Sequence, residues 1–125
     1  MQGQIGARAP QEAEQQCLVR EANEAAERLN VALTASAARA ALRCECGDEA
    51  CLAPVSLTPA EYEAVRAYGS RFVVGINHEN PESSWVLSEN PRFAVIDVVA
   101  GDARYQVLAR NPRYTMAEAR ERGSR

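Results

Sequence analysis

Apolar and polar positions alternate with two different periods in the two halves of the chain. From Gln11 to about Leu33 there is no Gly or Pro, and most residues are good helix formers. Leu18, Ala22, Ala25, Leu29 and Ala32 recur there at spacings of four and three, which predicts a helix with one apolar stripe. Glu24 and Arg28 stand at i,i+4 on it, a favourable pair. The stripe spans too few heptads to argue a coiled-coil seam, so it is expected to lie against the helix's own domain. Residues 34–43 read as an alanine-rich continuation or a linker.

Short strands are expected at Leu42 to Cys46 and Val55 to Leu57. A second helix starts at Thr58-Pro59-Ala60-Glu61. Thr58 is its N-cap, Pro59 fills the first helical position and Glu61 completes a capping box. It is expected to run to about Tyr68, turning Tyr62, Val65 and Tyr68 inward and ending at Gly69. Beyond it the runs Phe72 to Ile76, Trp85 to Ser88, Phe93 to Val99 and Tyr105 to Ala109 are β-branched or aromatic and predict strands. Asn80-Pro81, Asn90-Pro91 and Gly101-Asp102 separate them as turns. Phe93 to Val99 is the most apolar and reads as the central strand, with Asp97 paired to an arginine or set at a sheet margin. The expected fold is α+β: an N-terminal helix, a cysteine turn, a short capped helix and a small, mainly antiparallel sheet. Residues 1–10, with Gly3, Gly6 and Pro10, read as a flexible end. Residues 11–110 read as one domain, and 111–125 as a polar, arginine-rich tail.

Composition sharpens this picture. Of 125 residues 46% are hydrophobic, but alanine dominates and aromatics are only 6%, so the core is thin and a second source of stability is expected. All 14 basic residues are arginine and the net charge is −3, without a basic block. That argues against nonspecific nucleic-acid binding, which needs clustered positive charge. No apolar run approaches a membrane span, and Met1 to Pro10 lacks the pattern of a secretory signal. The expected compartment is a reducing cytoplasm, where clustered cysteines bind metal more often than they form disulfides.

Three of four cysteines fall in Cys44-Glu45-Cys46-Gly47-Asp48-Glu49-Ala50-Cys51, and the only histidine is His78. Residues two apart on an extended backbone project to the same side, so Cys44 and Cys46 can reach one ion. Gly47 permits the turn that brings Cys51 back, and amide N–H groups of such a turn can face the sulfurs. His78, in a turn-like stretch after a strand, is the expected fourth ligand of a closed zinc site. Glu45, Asp48 or Glu49 are alternative fourth ligands. The same residues also admit unliganded thiols, a redox-active pair or an iron–sulfur centre. Cys17, beside Leu18 and Val19, reads as a small buried hydrophobe outside the site.

Catalytic patterns fail. The order of ligands is reversed relative to nucleobase deaminases, and there is no second histidine for a zinc-protease motif. Phosphate-binding loops, dinucleotide fingerprints and nucleophile elbows are absent from the sequence. No enzyme is expected; only a three-cysteine zinc site with an open water position, using Glu45 or Glu79 as base, would make one.

The string Cys44-Glu45-Cys46-Gly47-x3-Cys51, then Val55-x-Leu57-Thr58-x2-Glu61-Tyr62-x2-Val65-Arg66, Arg71-Phe72-x-Val74 and His78-x2-Pro81, resembles small proteins of GC-rich bacterial genomes. The likeness covers roughly residues 17–113 and implies that Cys44, Cys46, Cys51 and His78 form a set. It implies no activity or substrate. The resemblance favours glycine where Asn77 stands; asparagine is the next most tolerant residue of an unusual backbone angle.

The expected function is therefore a small domain with structural zinc, acting as a protein-interaction or regulatory module. Its contact surfaces would be the exposed arginines and the N-terminal helix, through another protein or self-association. A thiol-based redox or metal sensor is the alternative. Nucleic-acid binding through Arg104, Arg110, Arg113, Arg120 and Arg122 is the third class, which the overall acidity opposes.

Overall fold

The structure, a computed structural model, describes residues 2–34 and 39–113, with side chains placed at 10–29 and 39–113. The elements run α1 (Gln2–Thr34), β1 (Ala40–Arg43), β2 (Pro54–Leu57), α2 (Pro59–Arg66), β3 (Arg71–Val74), β4 (Ser84–Glu89), β5 (Ala94–Val98) and α3 (Gly101–Ala109). The fold is α+β, as expected. The strands form an antiparallel β1–β2 pair and an antiparallel three-stranded sheet in the order β3-β5-β4. β5 is thus the central strand that its apolar run predicts.

Leu42 faces Val55 in the first pair and Phe72 faces Ile96 in the second sheet. These residues join Leu57, Tyr62, Val74, Val98 and Val107 in one core. Helix α1 packs on α3 and β1, α2 on β2 and β3, and α3 on β5. Among the described residues no helix is long and apolar enough to cross a membrane.

Several expectations are corrected, among them the first strand, which covers Ala40–Arg43 instead of Leu42–Cys46. The Tyr105–Ala109 segment is the end of helix α3, not a strand. Asp102 sits in its first turn, where the helix dipole favours an anion, and Ala103 and Val107 are buried at i,i+4 spacing. Tyr105 is exposed and Val107 buried, so the apparent β character came from residue type alone. Helix α1 begins at Gln2 rather than Gln11 and contains Pro10, whose missing N–H had marked a boundary. The short helix α2 stops at Arg66, capped at Ala67, and leaves Tyr68 exposed.

The largest difference concerns which face of α1 is buried. The helix does lie on its own domain, but Leu18, Ala22, Ala25 and Leu29 face outward. Ala13, Gln16, Cys17, Arg20, Asn23, Glu24 and Glu27 face inward. Ala32 of the predicted stripe lies outside the described side chains.

Arg20, Asn23 and Glu24 among the inward polar groups have partners. Arg20 donates to the carbonyls of Gly69 (2.7 Å) and Val107 (2.9 Å) and stacks over the Phe72 ring. Glu24 turns inward rather than to Arg28, pairing with Arg66 (2.8 Å) and Arg113 (2.7 Å). Asn23 exchanges two hydrogen bonds with the backbone of Arg43, clamping α1 to β1.

Asp97 follows its prediction: on central β5 it accepts from Ser70 (2.5 Å) and pairs with Arg104 (3.3 Å). Arg110 pairs with Glu14 and Glu21, and Arg113 with Glu24 and Glu63. The arginines considered as a contact surface are thus tied into the fold where they are described. Arg120, Arg122 and the rest of 114–125 lie outside the described residues.

Candidate metal centre

Cys44 and Cys46 lie just beyond the end of β1, with Glu45 between them. The Cys44 amide donates to the carbonyl of Ala53 (3.0 Å), continuing the β1–β2 pairing for one residue. The Glu45 amide donates to the carbonyl of Val73 (2.8 Å), docking the same segment on the edge of β3.

Neighbouring side chains on such a segment project to opposite sides. Glu45 accordingly points away from the sulfurs and is fully buried. Its carboxylate accepts from the Val73 amide (2.9 Å), the Asn23 side chain (2.8 Å) and the Tyr62 hydroxyl (3.2 Å). Glu45 is therefore removed as a substitute ligand. Instead it fixes the backbone that presents the two cysteines, and burial pushes its pKa up against these hydrogen bonds. Sequence reasoning missed this role. The one available signal was an acid between two cysteines in a segment otherwise expected to be a buried strand.

The turn between Cys46 and Cys51 depends on Gly47, whose φ is +88°. A Cβ there would stand 3.0 Å from the Glu12 carbonyl oxygen of α1. Asp48 then organises the return. Its side chain accepts from the Ala50 amide (2.9 Å) and its carbonyl from the Cys51 amide (3.0 Å).

His78 arrives from β3 by a turn closed by its own amide on the Gly75 carbonyl (3.0 Å). Asn77 occupies the left-handed region at φ +67°, which asparagine tolerates better than most residues. The imidazole lies over Gly75, where a Cβ would meet the ring at 3.3 Å. A loop contact holds this turn against α1: the Asn80 side chain donates to the Glu12 carboxylate at 2.9 Å.

These elements bring Cys44, Cys46, Cys51 and His78 together, with one ligand atom from each within 4.8 Å of the others. His78 Nδ1 is 3.4 Å from Cys44 Sγ and 3.5 Å from Cys51 Sγ. Ligands about 2.0–2.3 Å from one tetrahedral centre stand roughly 3.5–3.8 Å apart, so a cation fits with little movement.

The surroundings suit thiolates. The Gly75 amide donates to Cys44 Sγ at 3.2 Å. Cys46 is drawn down to about 5, chiefly by a hydrogen bond from Cys44; burial opposes this and the Asp48 amide assists. The shared bond and burial push Cys44 up. One thiol of the set thus ionises readily, and thiolate is the form that binds soft and borderline cations.

Cys44 is buried, Cys46 and Cys51 are half-buried, and His78 is exposed. The cluster opens on a groove of about 1080 Å³ between α1 and the cysteine turn. Cys17 is fully buried, and the gathered ligand set does not include it. Burial raises its thiol pKa, with Arg20 and Arg110 opposing. No protein-family model, curated protein or solved structure matches this chain.

Proposed function

We propose that this chain is a small zinc-binding domain in which the metal is structural, and that it acts as a protein-interaction or regulatory module. The carrying observation is the convergence of three sulfurs and one imidazole nitrogen within 4.8 Å, from residues as much as 34 positions apart. Three thiolates and one imidazole fill the tetrahedral shell of zinc, leaving no position for a reacting water. A metal there joins the β1–β2 connection to the turn after β3, segments that also meet through the Gly75 amide on Cys44 and, at β3, through Glu45 on Val73.

The test is metal analysis of the protein purified without added zinc. One equivalent of zinc is expected, lost in Cys44→Ser and Cys51→Ser and kept in Cys17→Ser. His78→Ala should retain zinc with weakened affinity. Fully folded protein containing no metal, or undiminished zinc in Cys44→Ser, would overturn the reading.

The half-buried Cys46 and Cys51 beside an open groove favour a second reading, a thiol-based redox or metal sensor. The same preparation separates the two. A sensor releases its zinc under mild peroxide and regains it on reduction. A purely structural clasp holds zinc until the domain unfolds.

A further inference from the structure

Helix α1 buries a face that is polar apart from Ala13, Cys17 and Val19, and exposes an apolar line. Its inward face carries Arg20, Asn23, Glu24 and Glu27, each buried. Its outward face carries Leu18, Ala22, Ala25 and Leu29, each exposed. At 3.6 residues per turn, spacings of four, three and four keep these residues on one line along the helix. That line lies opposite the buried residues, and none of the described residues covers it.

We propose that this face is the seam of a homodimer, in which α1 of one copy packs antiparallel against α1 of a second. The inference does not rest on the metal reading. Two features select the occupant and its direction.

The first is symmetry. Leu18 and Leu29 are equidistant from the midpoint between Asn23 and Glu24, and so are Ala22 and Ala25. A two-fold axis at that midpoint sets each leucine against the other leucine of its partner and each alanine against the other alanine. The face is self-complementary, as an isologous interface requires. Small alanines at the centre let the helix axes approach to about 8 Å, and leucines close both ends.

The second is charge. Glu21 and Arg28 flank the same side of the seam, and both are exposed. Antiparallel packing sets Glu21 of one copy beside Arg28 of the other, twice by symmetry. Parallel in-register packing would instead set Glu21 beside Ala26. Glu21 already meets Arg110 at 3.1 Å, yet it remains half exposed and has a second carboxylate oxygen to offer.

Sedimentation equilibrium of the full chain tests this. Wild type is expected to approach twice the monomer mass as concentration rises. Leu29→Glu and Leu18→Glu, both at exposed positions, should each weaken association by at least about tenfold. Their far-ultraviolet spectra and metal content should stay unchanged.

Direction is read from charge reversal. Glu21→Arg and Arg28→Glu should each be largely monomeric alone, because each sets like charges across the seam. Mixed in equal amounts, they should form a heterodimer that dissociates as salt rises. Wild type that stays monomeric to about 1 mM would overturn the proposal, as would dimers indifferent to Leu29→Glu. Charge-reversed variants that each dimerise as well as wild type would overturn the antiparallel arrangement.

Discussion

Glu24 is 3% exposed and is gripped by two guanidiniums, those of Arg66 and Arg113. Burial alone would raise its pKa, but hydrogen bonds from Arg113 and Arg66 hold it below the ordinary carboxylate value. An acid whose folded pKa is lowered adds stability that is present above its unfolded pKa, about 4.3. That stability is lost as pH falls through the folded value. Glu45 has the opposite sign. Burial raises its folded pKa, so its contribution is present below about 4.3 and lost as pH rises through the folded value. Glu24→Gln keeps the shape of the side chain but leaves Arg66, with no exposed side-chain surface, without its countercharge. The variant is expected to be about 3–5 kcal/mol less stable at neutral pH in urea unfolding. The deficit should shrink as pH falls below about 4.3. A deficit that stays constant to low pH would show that the charge of Glu24 is not what stabilises this site.

At the scale of elements, α2 shows local chemistry agreeing with tertiary structure. Thr58 accepts from the Glu61 amide at 3.1 Å, and the Glu61 side chain accepts from the Thr58 amide at 2.8 Å. Glu61 also receives Arg92 at 2.6 Å, which draws its pKa down to about 2. Thr58→Ala should cost about 1 kcal/mol in chemical denaturation, with zinc stoichiometry unchanged because α2 supplies no ligand. A loss of metal together with the cap would mean that α2 positions the cysteine turn more directly than its contacts indicate. This helix was legible because caps and Pro at the first position act within four residues. Strands β3, β4 and β5 were legible for a similar reason, as runs of β-branched residues between turn pairs. Helix α3 was not, because Tyr105 and Val107 are typical strand residues, and only burial shows the i,i+4 pairing of Ala103 with Val107. The orientation of α1 was illegible on physical grounds. Pattern reading assigns the apolar stripe to the interior, whereas here Arg20, Asn23 and Glu24 find partners on Gly69, Arg43 and Arg66 that no local rule predicts.

The whole molecule combines a modest apolar core with a buried polar layer beneath α1. Removing partners from such a layer is costly, but an intact one adds little net stability, because desolvation offsets much of the pairing. A metal bound by Cys44, Cys46, Cys51 and His78 would supply what the core does not. Binding energies for structural zinc are on the order of 10 kcal/mol, comparable to the whole stability of a domain this size. The gathering of Cys44, Cys46 and Cys51 was readable from cysteine spacing, and His78 from its place in a turn after a strand. The means of holding it was not: Glu45 clamped by Val73, Asn23 and Tyr62, and the Gly75 amide on Cys44, are contacts between distant segments. The central claim is that three sulfurs and one nitrogen hold one zinc ion. X-ray absorption at the zinc edge, on protein purified without added metal, measures that shell directly. The account predicts three sulfurs at about 2.3 Å and one nitrogen at about 2.0 Å. A shell of four sulfurs, a shell of nitrogen and oxygen alone, or the absence of stoichiometric zinc would contradict it.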